Sequence, residues 1–420
     1  MKYGIYTLND IDLRDKTVLL RVDINQPIDR GTNRLKDITR IKAALPTIQQ
    51  LHAVGAKVVI MAHQGSDIEY DNFYTTEPHS KVLSDLLKLP VEFIDDVCGP
   101  TARQRIKTLK SGEILLLDNV RFISEEQTLF EKHLNLSREK QAETLLVRTL
   151  APLADVYVCD AFAAAHRNQP SLCGFEIVLP SVMGRLFEKE YQLLSEIMEN
   201  PKRDCVFVLG GGKIADAFGM MNQVLENGVA DYILTGGVVG NILLASAGIN
   251  IGKASLNFIK KQGYDQFIEK GRTLLSNYPE KIILPKDTAF VNEGKRLETT
   301  VDQIPDEYSQ CDIGSKTADD YTQIIKKAKT IFVNGPMGIF EAPETELGTK
   351  RIWQALSDTS AYTVLGGGDS ITAANKYGVT EKMDYVCTGG GALIRFLSGE
   401  ELPVISALKE SGVAFKQNFS

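Results

Sequence analysis

A chain of 420 residues is too long for one ordinary core and suits two large domains of ~100 to 200 residues each. Its 43% hydrophobic and 24% charged residues fit a folded, water-soluble protein and exclude disordered and fibrous classes, while a net charge of -7 disfavours wholesale nucleic-acid binding, which needs many basic residues on one face. The N-terminal MKYGIYTLND lacks a basic region followed by an apolar core, and no run approaches the ~20 apolar residues that span a bilayer, so no membrane partner is expected and the cytoplasm is the default.

Short runs rich in Val, Ile and Leu alternate with longer stretches of helical periodicity, which predicts an α/β protein with parallel strands buried on both faces by crossover helices. In chain order, the first strands are predicted at 17–22 (TVLLRV), 57–62 (KVVIMA), 91–94, 114–117 (ILLL) and 156–159 (VYVC). Near 180–190 the segment LPSVMGRLFEKEYQLLSEIM opens with Pro180 and Gly184 and continues as a long amphipathic helix, the expected domain boundary and rigid connector. Later strands are predicted at 205–209 (CVFVL), 231–235 (DYILT), 281–284 (KIIL), 330–333 (TIFV), 361–365 (AYTVL) and 384–387 (DYVC), enough for a second sheet. Cys98, Cys159, Cys173, Cys205, Cys311 and Cys387 form no C-x-x-C pair and are read as reduced packing residues.

Ligands of open α/β sheets bind beyond the carboxyl ends of the strands, so the residues following each strand locate the sites. After first-half strands come Asp23 and Asn25, His63, Asn119 and Arg121, then Asp160 leading to His166 and Arg167. With Arg40, these polar and basic tips suit a compact anion, since guanidinium groups grip carboxylate and phosphate oxygens in pairs. Asp23 is open to two readings, a hydrogen-bond acceptor for a substrate hydroxyl or an ion-pair partner of Arg21 or Arg40. After second-half strands come glycines: Gly210 to Gly212, Gly236 and Gly237, Gly335 and Gly338, Gly366 to Gly368, and Gly389 to Gly391. Such loops let backbone N–H groups approach a nucleotide's phosphates at a helix N-terminus.

No G-x-x-x-x-G-K-[ST] sequence occurs, so the usual P-loop is absent. Gly210 to Ala215 match G-x-G-x-x-A, with Asp231 downstream, which makes a nicotinamide-dependent dehydrogenase the runner-up; against it, Asp231 precedes its strand rather than following it. Lys213 is placed to neutralise charge on a transferring phosphoryl group, and Asp369 to cap a helix and contact Mg2+.

In order along the chain, RVDINQP (21–27), DITRIKAALPTI (37–48), HQG (63–65), GEILLLDNVRF (112–122), DVYVCDAFAAAHR (155–167), VFVLGGGK (206–213), LTGG (234–237), DIGSKT (312–317), FVNGPMGIFE (332–341), TVLGGGDS (363–370), TGGG (388–391) and GEELPVISAL (399–408) resemble phosphoglycerate kinases, in a form like the archaeal branch. The resemblance implies two Rossmann-like three-layer domains joined by a hinge helix: a phosphoglycerate-binding domain at 1–182 with 404–420, and a Mg-nucleotide domain at 183–403. It implies a monomer that interconverts 3-phosphoglycerate plus ATP with 1,3-bisphosphoglycerate plus ADP. By the same resemblance, Asp23, Asn25, Arg40, His63, Arg121 and Arg167 bind 3-phosphoglycerate, with Arg40 and Lys213 assisting the transfer. Gly211, Gly212, Gly236, Gly237, Asn334, Pro336, Gly338, Glu341, Gly367, Gly368 and Ser370 line the nucleotide site, Glu341 reaching the ribose and Asp369 the Mg2+. The chain departs from the family pattern at Ala217, where a second lysine is common, at Ser66, where a basic residue is usual, and at Cys159, where asparagine is common. Ala217 and Ser66 motivate a competing expectation of a catalytically weak nucleotide or metabolite sensor.

Overall fold

The computed structural model describes residues 1, 3–29, 31–65 and 74–419, so Ser66 lies outside the described residues. Two compact units are present, Met1–Leu193 with Glu401–Ser420, and Leu194–Glu400.

The first unit contains β1 (Thr17–Val22), a short ribbon of β2 (Ile28–Asp29) and β3 (Arg34–Leu35), and then β4 (Lys57–Met61), β5 (Val91–Ile94), β6 (Ile114–Leu117), β7 (Val156–Asp160) and β8 (Ser181–Met183). Its parallel sheet runs β5-β6-β4-β1-β7-β8. Every residue of β1, β6 and β7 is buried, as unbroken Val/Ile/Leu runs require when helices cover both faces. Ile41, Ala44, Ile48 and Leu51 of the Thr39–Ala53 helix pack into the core formed with Val18, Leu20, Val58 and Ile60.

The second unit contains β9 (Cys205–Leu209), β10 (Tyr232–Thr235), β11 (Ile282–Ile283), β12 (Asp287–Asn292), β13 (Lys295–Thr300), β14 (Asp312–Ile313), β15 (Thr330–Asn334), β16 (Tyr362–Gly366) and β17 (Tyr385–Val386). Its parallel sheet runs β11-β10-β9-β15-β16-β17, so the chain builds outward in one direction from β9 and then in the other from β15. A crevice opens at the carboxyl ends where that reversal occurs. A separate antiparallel sheet, β13-β12-β14, has no counterpart in the sequence reading. Its β13 strand is largely exposed and polar, so it lacks the apolar run that marks the buried strands. The β12–β13 turn is local chemistry, Glu293 and Gly294 both having positive φ as a tight hairpin demands. Arg296 of β13 pairs with the buried Asp312 of β14 at 2.9 Å, tying the ribbon to the unit.

The Arg185–Glu199 helix runs across the boundary at Leu193 and Leu194. Its start is held from the first sheet: Asp160 Oδ1, at the end of β7, accepts the N–H groups of Leu186 (2.9 Å) and Phe187 (3.1 Å), which have no partner within the helix. The Pro403–Ala414 helix belongs to the first unit, where Ser411 Oγ donates to the Leu179 carbonyl at 3.1 Å. No helix among the described residues is long and apolar enough to cross a membrane.

Candidate active site: two half-sites at strand ends

In the first unit the tips of β1, β4 and β6 converge. Asp23, buried just past β1, accepts Arg40 Nη1 at 3.0 and 3.1 Å, so the ion-pair reading of Asp23 describes the folded chain. Asn25 Oδ1 accepts the Gly65 N–H and Asn25 Nδ2 donates to the Gly65 carbonyl, both at 3.1 Å. The same carbonyl accepts Arg121 Nη1, and Asn119 Oδ1 accepts the N–H groups of Gln64 and Arg121 (3.1 Å each), which locks the β4 and β6 turns together. Beside them lies a cleft of about 440 Å3 lined by Asn25, Gln26, Arg40, Gln64, Gly65 and Tyr74.

His63 is buried among positive charge. Burial, followed by the guanidinium groups of Arg21, Arg121, Arg167 and Arg40, holds its pKa well below the usual imidazole value, so the ring is neutral at pH 7. The predicted set is thereby gathered at one place: Asp23, Asn25, Arg40, His63 and Arg121 by contact, and Arg167 through its field at His63. The sequence reading missed Arg21 as a site residue and weighed it only as a partner of Asp23. Arg21 is instead fully buried, with Nε donating to Ser171 Oγ (2.9 Å) and Nη2 lying 3.1 Å from His63 Nδ1. Glu126, also missed, accepts from Ser171 behind it.

In the second unit the loops after β9, β10, β15 and β16 surround a cleft of about 360 Å3. Gly211, Gly212, Gly237, Pro336, Gly338, Glu341 and Asp369 line it, together with an apolar wall from Val238, Phe258, Ile259, Ile339 and Phe340. Phe258 and Ile339 are 45% and 53% exposed, and a flat base laid against them would reduce that exposure. The wall was not foreseen, because Phe258 and Ile259 sit on the Lys253–Lys261 helix, far in sequence from any glycine loop.

The glycines divide by physical role. A Cβ on Gly335 (φ +93°) would collide with the Gly210 carbonyl oxygen, so this pair is glycine because two backbones cross there. Gly212 and Gly368 meet nothing within 4 Å, so neither needs to be glycine for packing. Several loop N–H groups expected to face a ligand are used inside the protein: Gly211 donates to the Pro336 carbonyl (2.7 Å) and Gly237 to the Met337 carbonyl (2.6 Å). Gly236 precedes the Gly237–Ser246 helix as its N-cap. First-turn N–H groups without intrahelical partners remain on the Ile214–Glu226 and Gly368–Lys376 helices, and on the Gly237–Ser246 helix beyond Gly237, and none of the three has a side-chain cap.

Other predicted residues hold the loops in place. Asn334 is buried at the end of β15 against Gly367, and Ser370, fully buried, accepts the Gly335 N–H on Oγ at 2.7 Å. Lys376 Nζ donates to the carbonyls of Phe340 (2.6 Å) and Glu341 (3.2 Å), fixing the loop that carries Glu341. Lys213 is exposed at the N-cap position of its helix. Asp369 is not the cap expected of it: Gly367 occupies that position and Asp369 stands in the first turn, exposed. No cluster of three or more His, Cys, Asp or Glu side chains able to hold a metal occurs among the described residues. A single carboxylate on a nucleotide-sized cleft fits Mg2+, which takes one or two carboxylates and draws its other ligands from phosphate and water.

Asp231, on which the dehydrogenase reading depended, lies at the opposite end of the sheet from the glycine loops. Its carboxylate accepts the Cys205 N–H at 2.7 Å and pairs with Arg203 at 2.9 Å. Ala217, at the position of the absent second lysine, is buried within the Ile214–Glu226 helix.

Comparison with known proteins identifies the family. The family model "Phosphoglycerate kinase" matches residues 8–400. A phosphoglycerate kinase of Methanothermobacter thermautotrophicus is 45% identical over 411 residues, covering 98% of each chain, and that of Methanococcus maripaludis is 44% identical, covering 96% of this chain and 98% of its own. The crystal structure of phosphoglycerate kinase from Pyrococcus horikoshii superposes with a TM-score of 0.86 at 40% identity, covering 98% of this chain and all of that one. The enzyme from Coxiella burnetii gives a TM-score of 0.82 at 29% identity, covering 97% and 99%. Neither the dehydrogenase nor the non-catalytic sensor finds support in these relatives, and the chain belongs to the phosphoglycerate kinase family.

Proposed function

We propose that the protein transfers a phosphoryl group reversibly between ATP and the carboxylate of 3-phosphoglycerate, giving ADP and 1,3-bisphosphoglycerate. The observation that carries this reading is the gathering at the carboxyl ends of the first sheet of buried His63, with Arg21 3.1 Å from its Nδ1, beside Asn25, Arg40 and Arg121. A cluster of guanidinium groups around uncharged donors suits a small molecule bearing both phosphate and carboxylate. We assign Asn25, Arg40, His63, Arg121 and Arg167 to that molecule, with Asp23 holding Arg40. The second cleft, with its apolar wall and open helix N-termini, is assigned to the nucleotide.

The attacking carboxylate is already ionised at neutral pH, so the reaction needs no general base. What it requires is in-line positioning and neutralisation of charge on the transferring group. Arg40 supplies positive charge from the first unit and Lys213 from the second. Asp369 would hold Mg2+ together with the nucleotide phosphates, and the ion would supply further charge neutralisation. Ligands carried by separate units react only when those units close and exclude water, and we place the hinge on the Arg185–Glu199 helix. Six buried free cysteines fit a reducing cytoplasm, and a monomer is our assignment for the working form.

The test is ADP formation from ATP, Mg2+ and 3-phosphoglycerate. Arg40→Ala and Lys213→Ala are each expected to lower kcat by about 100- to 1000-fold, the cost of losing one transition-state donor. Unchanged turnover in either variant would remove that residue from the mechanism.

A further inference from the structure

Arginine has N–H donors and no acceptor, so the 3.1 Å approach of Arg21 Nη2 to His63 Nδ1 makes Nδ1 the lone-pair nitrogen. The ring then carries its proton on Nε2. A cationic ring is excluded by the same contact, since a second proton on Nδ1 would face the guanidinium donor. His63 Nε2 lies 3.5 Å from Asn25 Nδ2. The Asn25 amide is held in that orientation, because Oδ1 accepts from Gly65 N and Nδ2 donates to Gly65 O. Two N–H donors therefore converge, and their chemical complement is an oxygen with two lone pairs.

The residues behind His63 fix this arrangement. Arg21 is fully buried and held on both flanks, Nε donating to Ser171 Oγ at 2.9 Å and Nη1 to the Val22 carbonyl at 2.6 Å. The single hydroxyl proton of Ser171 goes to Glu126 Oε2 at 2.7 Å, which leaves a lone pair of Oγ for Arg21. Glu126 Oε1 accepts the Ser171 N–H at 2.5 Å, and this carboxylate is fully buried. Burial pushes the Glu126 carboxyl up, while Arg21, Ser171 and Arg121 act in the opposite sense.

We propose that Glu126, Ser171 and Arg21 form a positioning chain that holds His63 as its neutral Nε2–H tautomer, so that His63 Nε2 and Asn25 Nδ2 donate together to one oxygen of the phosphoglycerate. The inference rests on reading the first cleft as the phosphoglycerate site. Charge alone does not require this chain, because Arg121, Arg167 and Arg40 already surround the ring. The chain decides which ring nitrogen faces the substrate.

The test uses the full-length protein labelled with 15N-histidine. It contains five histidines, and His63→Gln identifies the signals of His63. The wild type should show Nδ1 unprotonated and Nε2 protonated, unchanged between about pH 6 and about pH 8, where a free histidine titrates. Addition of 3-phosphoglycerate should shift the Nε2–H resonance. Ser171→Ala should mix the tautomers and raise KM for 3-phosphoglycerate about tenfold, as loss of a charge-assisted contact does, with KM for ATP unchanged. Ser171→Thr should restore both. An Nδ1–H or cationic His63 in the wild type would overturn the proposal, a result independent of whether either Ser171 variant folds. So would a Ser171→Ala protein with wild-type tautomer and KM. A wild type that turns over 3-phosphoglycerate while its His63 signals ignore it would instead overturn the reading of the cleft. A responsive signal with the wrong tautomer defeats the positioning chain alone.

Discussion

Gly335 and Gly368 are separated in sequence by a strand and a helix, yet opposite forces keep them as glycine. Gly335 sits at φ +93° with another backbone against it, so Gly335→Ala combines left-handed strain with a steric collision. Gly368 faces open space at the first residue of a helix, where alanine is the better helix former by up to ~1 kcal/mol. Gly368→Ala should therefore leave stability equal or slightly higher and raise KM for ATP, while Gly335→Ala should lower the urea midpoint. Urea unfolding and nucleotide kinetics on the two variants check this, and a destabilised Gly368→Ala protein would contradict it. A glycine letter does not say which case applies, so the sequence identified the loops and left their individual duties open. Arg21 and Glu126 were hidden for a related reason. Nothing in a single letter reveals that an arginine lies wholly inside the protein, bonded to a serine distant in the chain.

The short turn at Phe175–Ile177 packs against the Pro403–Ala414 helix. Within it Glu176 is buried, and neither carboxylate oxygen has a hydrogen-bond partner outside its own residue among the described residues. Burial raises its pKa from 4.5 to about 8, so the folded state holds the proton more tightly than the unfolded chain. The folded state then binds more protons than the unfolded one between these values, and the stability contributed by the protonated group falls as pH rises from about 4.5 through about 8. Glu176→Gln mimics the protonated acid. Its urea midpoint should match wild type at low pH and exceed it increasingly through that window; parallel curves would show that Glu176 does not titrate with folding. Elements with strong local signals were legible, including every strand of both parallel sheets except β8. That strand is only three residues long, and β12 to β14 depend on a hairpin turn and a buried ion pair rather than on an apolar run.

At the scale of the whole molecule, the most readable property was the contrast between the polar strand tips of the first half and the glycine loops of the second. Parallel strands all deliver their carboxyl ends to one edge, so the residues just past each strand share an edge however far apart they are in sequence. This is why Asn25, His63 and Arg121 come together, and why the loops at Gly211, Gly237, Pro336 and Asp369 line one cleft. Lining contributed by a crossover helix, such as Phe258, obeys no such rule. The division of labour can be read directly by hydrogen exchange on the intact protein with one ligand at a time. 3-Phosphoglycerate should slow exchange in peptides covering 22–26, 63–65 and 119–122 and leave the second unit unchanged. ADP with Mg2+ should protect 211–216, 237–241, 255–259 and 367–371 and leave the first cleft unchanged. Protection of the glycine loops by 3-phosphoglycerate, with none at His63 or Arg121, would contradict the assignment of one ligand to each sheet.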